Sequence, residues 1–593
     1  MHRLPTPIGI EAPRAAAALL GCLALTGLLL LVAVHPAAVV LSFAVPPALA
    51  AAWTFRRSVA PAAVVAPVVV AGLAATAVWP RAAALVAFAV VAVAVGWAYS
   101  DRIGPPLRVG YDVAAAVAIP LRVPAVVATV VGAPLALAVW PGTASVLILM
   151  AVILVLAWRA PVPALFAGLL AFGFEGTAKM LLTLDPTPLP GGGRAVGAAS
   201  LDVALFAAVV AVVAADGLRT PRALWARANR AERRALGALG AWLGLSVVQM
   251  AQSGDLVRGL HGFRLFQLYV AVGLAAAIVS ARPDRRLPAT RGLLAIGLVV
   301  SLYAAVRVAI GPAASEREFA SAVTTVSHVG DSLRAIGSFS SAVGLASFLV
   351  PLSVFALTAG YLIPRLRLLA WSTAALAIVG LVGSYTRASL FGIALGLACA
   401  LAVVVGAADI PLRRKLTGVA LALAMLAAGY GGLQFVGRTS PQLAERASGI
   451  LDPLGDPSVQ LRFKGWGENL DEVGRHPLGQ GVGTVGAAGG SRVLTTDNSY
   501  LKVLVDQGVL GAAMFVAGLL GTVFLVGRRL RRTAGTSRTL GLAALAGFVA
   551  FLGISLAGEY VEQPGKVVAW ALLGIAVSQA LGVPDTGERR EGS

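Results

Sequence analysis

The sequence predicts an all-α polytopic membrane protein, and three observations carry that prediction. Hydrophobic residues make up 58% of the chain and charged residues only 12%, far from the balance of a soluble domain. Continuous apolar runs long enough to cross a bilayer recur along nearly the whole length. A transmembrane β-barrel would instead show short alternating segments. Most of the 47 Lys and Arg residues fall in short clusters between the runs, where they set orientation in the membrane. Helices are the default for the spans, because a helix satisfies its own backbone groups where lipid offers no water.

Taken in order, the runs give about eighteen spans (16–18). Those of the N-terminal part fall near 15–34, 37–55, 60–79, 82–99 and 123–140. A middle group covers 143–158, 161–183, 200–217, 236–252, 264–281, 291–311, 339–362, 367–385, 388–406 and 416–435. The last three are 499–527, 539–560 and 566–582. The implied organisation is N-terminal spans over 1–160 without an assigned role, and a transmembrane core over 161–436. An extracytoplasmic loop containing short amphipathic helices follows over 437–498, then C-terminal spans over 499–582 and a cytoplasmic tail over 583–593. Arg3 and Arg14 precede an apolar run from Ala15 and read as the flank of a retained first helix rather than of a cleaved signal.

With the N-terminus inside, alternation places Arg56, Arg57, Arg219 through Arg234, Arg365, Arg367, Arg413, Arg414, Lys415 and Arg528 through Arg532 inside. Both termini are then cytoplasmic, and the long polar segment lies outside. The net charge of +20 is therefore a topology signal, and no nucleic-acid partner is expected. Cys22 and Cys399 lie far apart in apolar runs and suggest neither a disulfide nor a metal site.

The polar segment that ends at Asp497 carries most of the candidate chemistry. QLRFKGWGENLDEV reads as an amphipathic helix from which Arg462 and Lys464 could meet an anion. A surface helix anchored on the membrane by Trp466 gives the same pattern. In HPLGQGVGTVG the glycines permit tight turns, but the Gly-Lys-Ser/Thr ending of a phosphate loop is absent, so a hinge or turn is expected. His476 precedes Pro477 there. Asp497, Asn498 and Tyr500 open the next apolar run, either as ordinary helix caps or with the carboxylate as a general base. Asp452 and Asp456 read as turn residues, and no metal or other cofactor is expected.

Four charges stand out elsewhere. Arg387 joins two apolar runs in GSYTRASLFG, where a guanidinium either snorkels to headgroups or binds a diphosphate or carboxylate. Glu175 and Lys179, spaced i, i+4, favour a neutralised pair over a substrate role. Arg334, in the outer segment 312–338, joins the substrate-binding candidates.

Four pieces in order, GSFSSAVGLASFLVP (337–351), GSYTRASLFGIALGL (383–397), QLRFKGWGENLDEVGRHPLGQGVG (460–483) and DNSYLKVLVDQGVLG (497–511), resemble the O-antigen ligase and polymerase family of bacterial membrane glycosyltransferases, of the GT-C type. The resemblance spans about residues 291–530. It implies transfer of a glycan from a polyprenyl diphosphate carrier, undecaprenyl diphosphate among such carriers, to an acceptor hydroxyl at the outer face of the cytoplasmic membrane. The acceptor would be a glycan or a lipid-linked molecule.

By the same resemblance, Arg387 and Arg462 would bind the carrier diphosphate and Asp497 would accept or orient the acceptor proton, without a metal. Apart from the resemblance, Asn498, Tyr500, Lys464, His476 and Arg334 are candidates for substrate contact, although a lone His before Pro is more often structural. Ligases commonly have His-Asn where this chain has Asp497-Asn498, which favours the polymerase-type members. The rival reading is a polytopic transporter or a flippase for lipid-linked oligosaccharide. Against it stand the absence of an evident internal repeat and of a buried charge array, and the outward placement of the polar mass.

Overall fold

The computed structural model describes residues 141–183, 193–312, 316–317, 328–329, 332–406, 457–486 and 496–582, with scattered positions between 411 and 431. The five spans expected before residue 141 and most of the 416–435 span lie outside the described residues. So do Cys22, Asp452, Asp456 and the C-terminal tail. The chain divides into two compact units, residues 1–168 with 178–217, and residues 169–177 with 218–593.

In the first unit, α1 (Pro141–Arg159) packs along α4 (Gly193–Asp216). Between them in sequence run α2 (Pro161–Gly173) and α3 (Glu175–Thr183). One continuous span was expected over 161–183. It is interrupted at Phe174, where the Glu175 carboxylate, in the second unit, turns to the N–H and hydroxyl of Ser340, each at 3.3 Å.

The second unit continues with α5 (Arg219–Arg227), α6 (Arg230–Met250), α7 (Leu256–Leu265), α8 (Val270–Ala281) and α9 (Pro283–Ile310). A two-residue antiparallel pair, β1 (His328–Val329) with β2 (Ser332–Leu333), precedes α10 (Ala342–Leu362), α11 (Arg367–Gly383) and α12 (Ala388–Gly406). Last come α13 (Pro457–Arg475), α14 (Ser499–Leu530), α15 (Gly535–Ile554) and α16 (Lys566–Leu581).

Among the described residues eight helices are long and apolar enough to cross a membrane: α6, α7 with α8, α9, α10, α11, α12, α14 and α15. The chain is a multi-pass membrane protein. The expected total of eighteen therefore has eight full-length counterparts here, with three shorter apolar helices at 149–159, 161–173 and 566–581. The segment 253–263, between the expected spans 236–252 and 264–281, is largely helical. Asp255 accepts from the N–H groups of Val257 and Arg258 at 2.9 and 3.2 Å and so starts α7 at Leu256.

The core follows from which helices are apolar all round. α10 and α15 have almost no polar stripe and are buried on nearly every side. α10 packs on α11 and α15, α15 on α12 and α16, α8 on α16, and α6 on α14. α8 and α16 cross where Gly273 meets Gly574, and a Cβ on Gly574 would overlap the Gly273 main chain.

Hydrogen bonds sort the helix ends. At one end, the start of α14 meets the end of α15 (Ser499 N–H to Ser555 O, 2.9 Å), and the start of α16 meets that of α10 (Gly565 N–H to Ser347 Oγ, 3.1 Å). At the other, Arg529 of α14 reaches Glu232 of α6 at 2.8 Å, and Arg286 of α9 donates to Ser537 of α15 at 2.7 Å. The first end holds the candidate site.

Candidate active site

The segment 496–499 leads into α14 and is tied at three of its four residues. Asn498 caps the helix by accepting from Tyr500 and Leu501 N–H at 2.9 and 3.1 Å, and its amide donates to Leu556 O at 3.0 Å. The Ser499 hydroxyl donates to Gly558 O at 2.8 Å and accepts from Val561 N–H at 3.3 Å. Thr496 donates its N–H, at 3.0 Å, and its hydroxyl to one oxygen of Glu559. The turn 555–561 between α15 and α16 thus grips both sides of Asp497, whose own side chain stays exposed. Asp497 has φ +42, a left-handed conformation that costs energy for an L-residue.

Buried Tyr560, on that turn, marks where the charges converge. Burial pushes its hydroxyl up to about 12, Arg334 and Arg462 pull the other way, and Asp497 adds to the rise. Three sequence candidates from distant parts of the chain therefore act on one phenol. Arg334 is buried; its Nε donates to Ser384 O and its Nη2 to Thr386 Oγ1, both at 2.9 Å. Ala335 N–H also bonds Gly383 O at 2.9 Å, which stitches this segment to the α11–α12 link. Arg387 follows directly in that link, half-buried at the start of α12. The link has its own strained residue, Tyr385 at φ +50. Among the described residues, three non-glycine positions have positive φ, and two of them, Tyr385 and Asp497, stand in these two segments.

The expected amphipathic helix is present as α13, longer than the stretch that signalled it. Arg462 is half-buried, while Lys464 is exposed and so are Leu461, Phe463 and Leu470. Phe463 and Trp466 stack edge to face at 5.4 Å between centroids. Past its end His476 lies 3.3 Å from Glu472, which also pairs with Arg475 at 3.0 Å. Lys464 and His476 are therefore solvent-facing positions on α13 and just beyond it. Tyr500 donates its hydroxyl to Leu552 O at 3.0 Å, so it and Asn498 are bonded to the protein's own main chain.

The Gly-rich turn after His476 cradles an anion, and the anion is a side chain. N–H groups of Gly483, Thr484 and Val485 point at the Asp506 carboxylate at 3.1–3.3 Å, and the Thr484 hydroxyl donates to it at 2.8 Å. Such a ring of N–H groups is how backbone holds phosphates. Opposite, α14 breaks at Gly508 (φ +69), where Val509 N–H bonds Pro477 O at 3.0 Å. A Cβ on Gly508 would lie 2.3 Å from the Leu478 carbonyl carbon.

Sequence reading missed the ionic cluster around that carboxylate. The buried Lys502 ammonium reaches Asp506 at 2.9 Å, Glu562 at 3.0 Å and Val485 O at 2.5 Å. Glu559 lies beside them. Burial and Glu562 hold its carboxyl above the usual range, against the pull of Lys502 and Thr496. The signal was present in LKVLVDQG and GEYVEQPGK, where five charges interrupt apolar runs, a pattern that marks function in membrane helices.

Residues 372–516 match the family model described as O-antigen ligase. The match takes in Arg387, Arg462, Asp497, Lys502 and Asp506 and stops short of Glu559, Tyr560 and Glu562. No curated protein matches the chain.

Proposed function

From the O-antigen ligase domain at residues 372–516, carried on a bundle of membrane-spanning helices, we propose that this glycosyltransferase-type enzyme moves glycan from a polyprenyl-diphosphate-linked donor to an acceptor hydroxyl. The reaction takes place at the outer face of the bacterial cytoplasmic membrane, and the acceptor is itself a carrier-linked glycan, so the product is a longer chain. The observation that carries this reading is the geometry at that end of the bundle: Arg334 donates to Ser384 O and Thr386 Oγ1 directly before Arg387, and the 555–561 turn holds both neighbours of Asp497.

The chemistry is a displacement at the anomeric carbon. The acceptor oxygen forms the new C–O bond as the bond to the carrier diphosphate breaks, and the diphosphate leaves with the electron pair. Asp497, exposed and fixed by its neighbours, takes the acceptor proton. Arg462 and Arg387 lie against the developing diphosphate charge, with Arg334 holding the link that presents Arg387. Guanidinium suits this work because its planar fork matches two oxygens at once. Lys464 and His476 stand farther out, where they meet the glycan.

Arg387→Ala tests the reading. Purified in detergent with a carrier-linked oligosaccharide, the variant should lose transfer while its amount in the membrane is unchanged; unchanged product length and yield would sink the assignment. Native protein that moves labelled lipid-linked sugar across liposomes, and transfers nothing, would place it with the flippases. Loss of attachment rather than of chain length in a deletion strain would point to a ligase.

A further inference from the structure

We propose that Glu559 is a positioning residue for the transfer reaction, holding Thr496 so that the Asp497 carboxylate faces the acceptor. This rests on the reading of Asp497 as proton acceptor, and goes beyond it by assigning a role to a residue outside the matched stretch 372–516.

One oxygen of Glu559 takes both donors of Thr496, the N–H and the hydroxyl. Thr496 is fully buried, and the next residue is the strained Asp497. A left-handed aspartate persists only where the surroundings over-determine its backbone. Here the restraint is two-sided: Glu559 holds the residue before, and Leu556 O, Ser555 O and Gly558 O hold the two residues after. Releasing the Glu559 side frees φ of Asp497 to relax, and the carboxylate swings with it.

Glu559 is in turn fixed from behind. A Cβ on Gly486 would lie 2.6 Å from a Glu562 oxygen, 2.9 Å from the second Glu559 oxygen and 3.1 Å from Lys502 Nζ. The positions are thus packed in series, from the Lys502–Glu562–Asp506 cluster through Glu559 and Thr496 to Asp497. An apolar residue at 559 would fill the space but leave two buried donors without an acceptor. A carboxylate does both.

The test uses full-length protein in detergent and compares Glu559→Ala, Glu559→Gln, Thr496→Val, Asp497→Ala and the double variant Glu559→Ala/Asp497→Ala. Glu559→Ala should slow transfer about tenfold or more through kcat, with KM for the donor little changed. Glu559→Gln, which keeps an acceptor oxygen, should recover most of the rate, and Thr496→Val should fall between. The double variant should be no slower than Asp497→Ala.

A second readout needs no activity. In a background with Cys22 and Cys399 replaced, Asp497→Cys should react with a maleimide at a rate that changes severalfold when Glu559→Ala is added. Unchanged kcat in Glu559→Ala, or an unchanged labelling rate, overturns the proposal. Full activity in Asp497→Ala overturns the proton-acceptor reading instead, and loss in Asp497→Ala with none in Glu559→Ala removes Glu559 alone.

Discussion

The ammonium of Lys502 lies 2.9 Å from the carboxylate of Asp506 one helical turn on, and both side chains are almost completely buried. The pair anchors the Gly-rich turn, because Asp506 receives its N–H groups and Lys502 donates to Val485 O. Lys502→Met keeps the volume but leaves Asp506 and Glu562 without their cation. Breaking a buried pair from one side costs about 3–5 kcal/mol. The variant should therefore unfold at a markedly lower temperature in detergent, followed by tryptophan fluorescence or loss of monodispersity.

Two glycine substitutions should have opposite outcomes. Gly508→Ala puts a Cβ into the Leu478–Gly479 main chain at a left-handed φ, so the turn must leave its seat and transfer should be lost with it. Gly467→Ala, in the middle of α13 with open space around it, should stabilise that helix by about 0.5–1 kcal/mol. Limited proteolysis across 457–486 distinguishes the two.

Gln507 bridges α14 to α6. Its carbonyl accepts from Trp242 Nε1 at 2.5 Å and its amide donates to Ser246 Oγ at 2.8 Å. Trp242 packs on Phe266 and Phe515 with centroids 5.2 and 4.8 Å away. Gln507→Leu should cost about 1–3 kcal/mol, the penalty for a buried donor left unpaired. Thermal unfolding of the double variant Gln507→Leu/Trp242→Phe, which removes both partners, should recover part of that loss.

The pH dependence of stability should carry the Glu559 signature. Its carboxyl is raised in the folded protein, so the fold binds that proton more tightly than the unfolded chain does. The resulting stability is fully present below the ordinary glutamate value of about 4.3 and is lost as pH rises through the raised value. Over that window the native unfolding temperature should fall more steeply with rising pH than that of Glu559→Gln. Parallel curves would refute the assignment.

Arg334→Lys keeps a charge near Tyr560 but cannot span Ser384 O and Thr386 Oγ1 with one planar group. Transfer should drop about tenfold or more, with the loss traced to displacement of the Arg387 link. A rate equal to that of the native protein would show that Arg334 supplies charge alone.

Much of the fold was legible because a helix in lipid needs a long apolar run, and such runs are visible without partners. Boundaries were harder where a local cap overrides hydropathy, as Asp255 does at α7, or where a carboxylate finds a distant partner, as Glu175 does at Ser340. At the site, Arg334 and Arg462 were identifiable singly as cations in outer polar segments, and Asp497 as a carboxylate opening an apolar run. Their common neighbour Tyr560 was not, because it lies some sixty residues beyond Asp497 in a short turn of ordinary composition. The Gly-rich turn was read as a hinge. That its N–H groups surround Asp506 depends on the break at Gly508, which no spacing in the sequence announces.

The turn at 555–561 also bears on how this domain can be inherited. The stretch that matches a known family ends at residue 516, yet the backbone of Asp497 is held by groups from 555 to 561, and Arg334 comes from before the stretch begins. A recombinant that exchanged residues 372–516 between distant homologues would import Asp497 without the clamp that fixes its backbone. Gene shuffling in this lineage should therefore respect a unit running from about Arg334 to Leu581, and crossovers inside it should yield inserted but silent proteins.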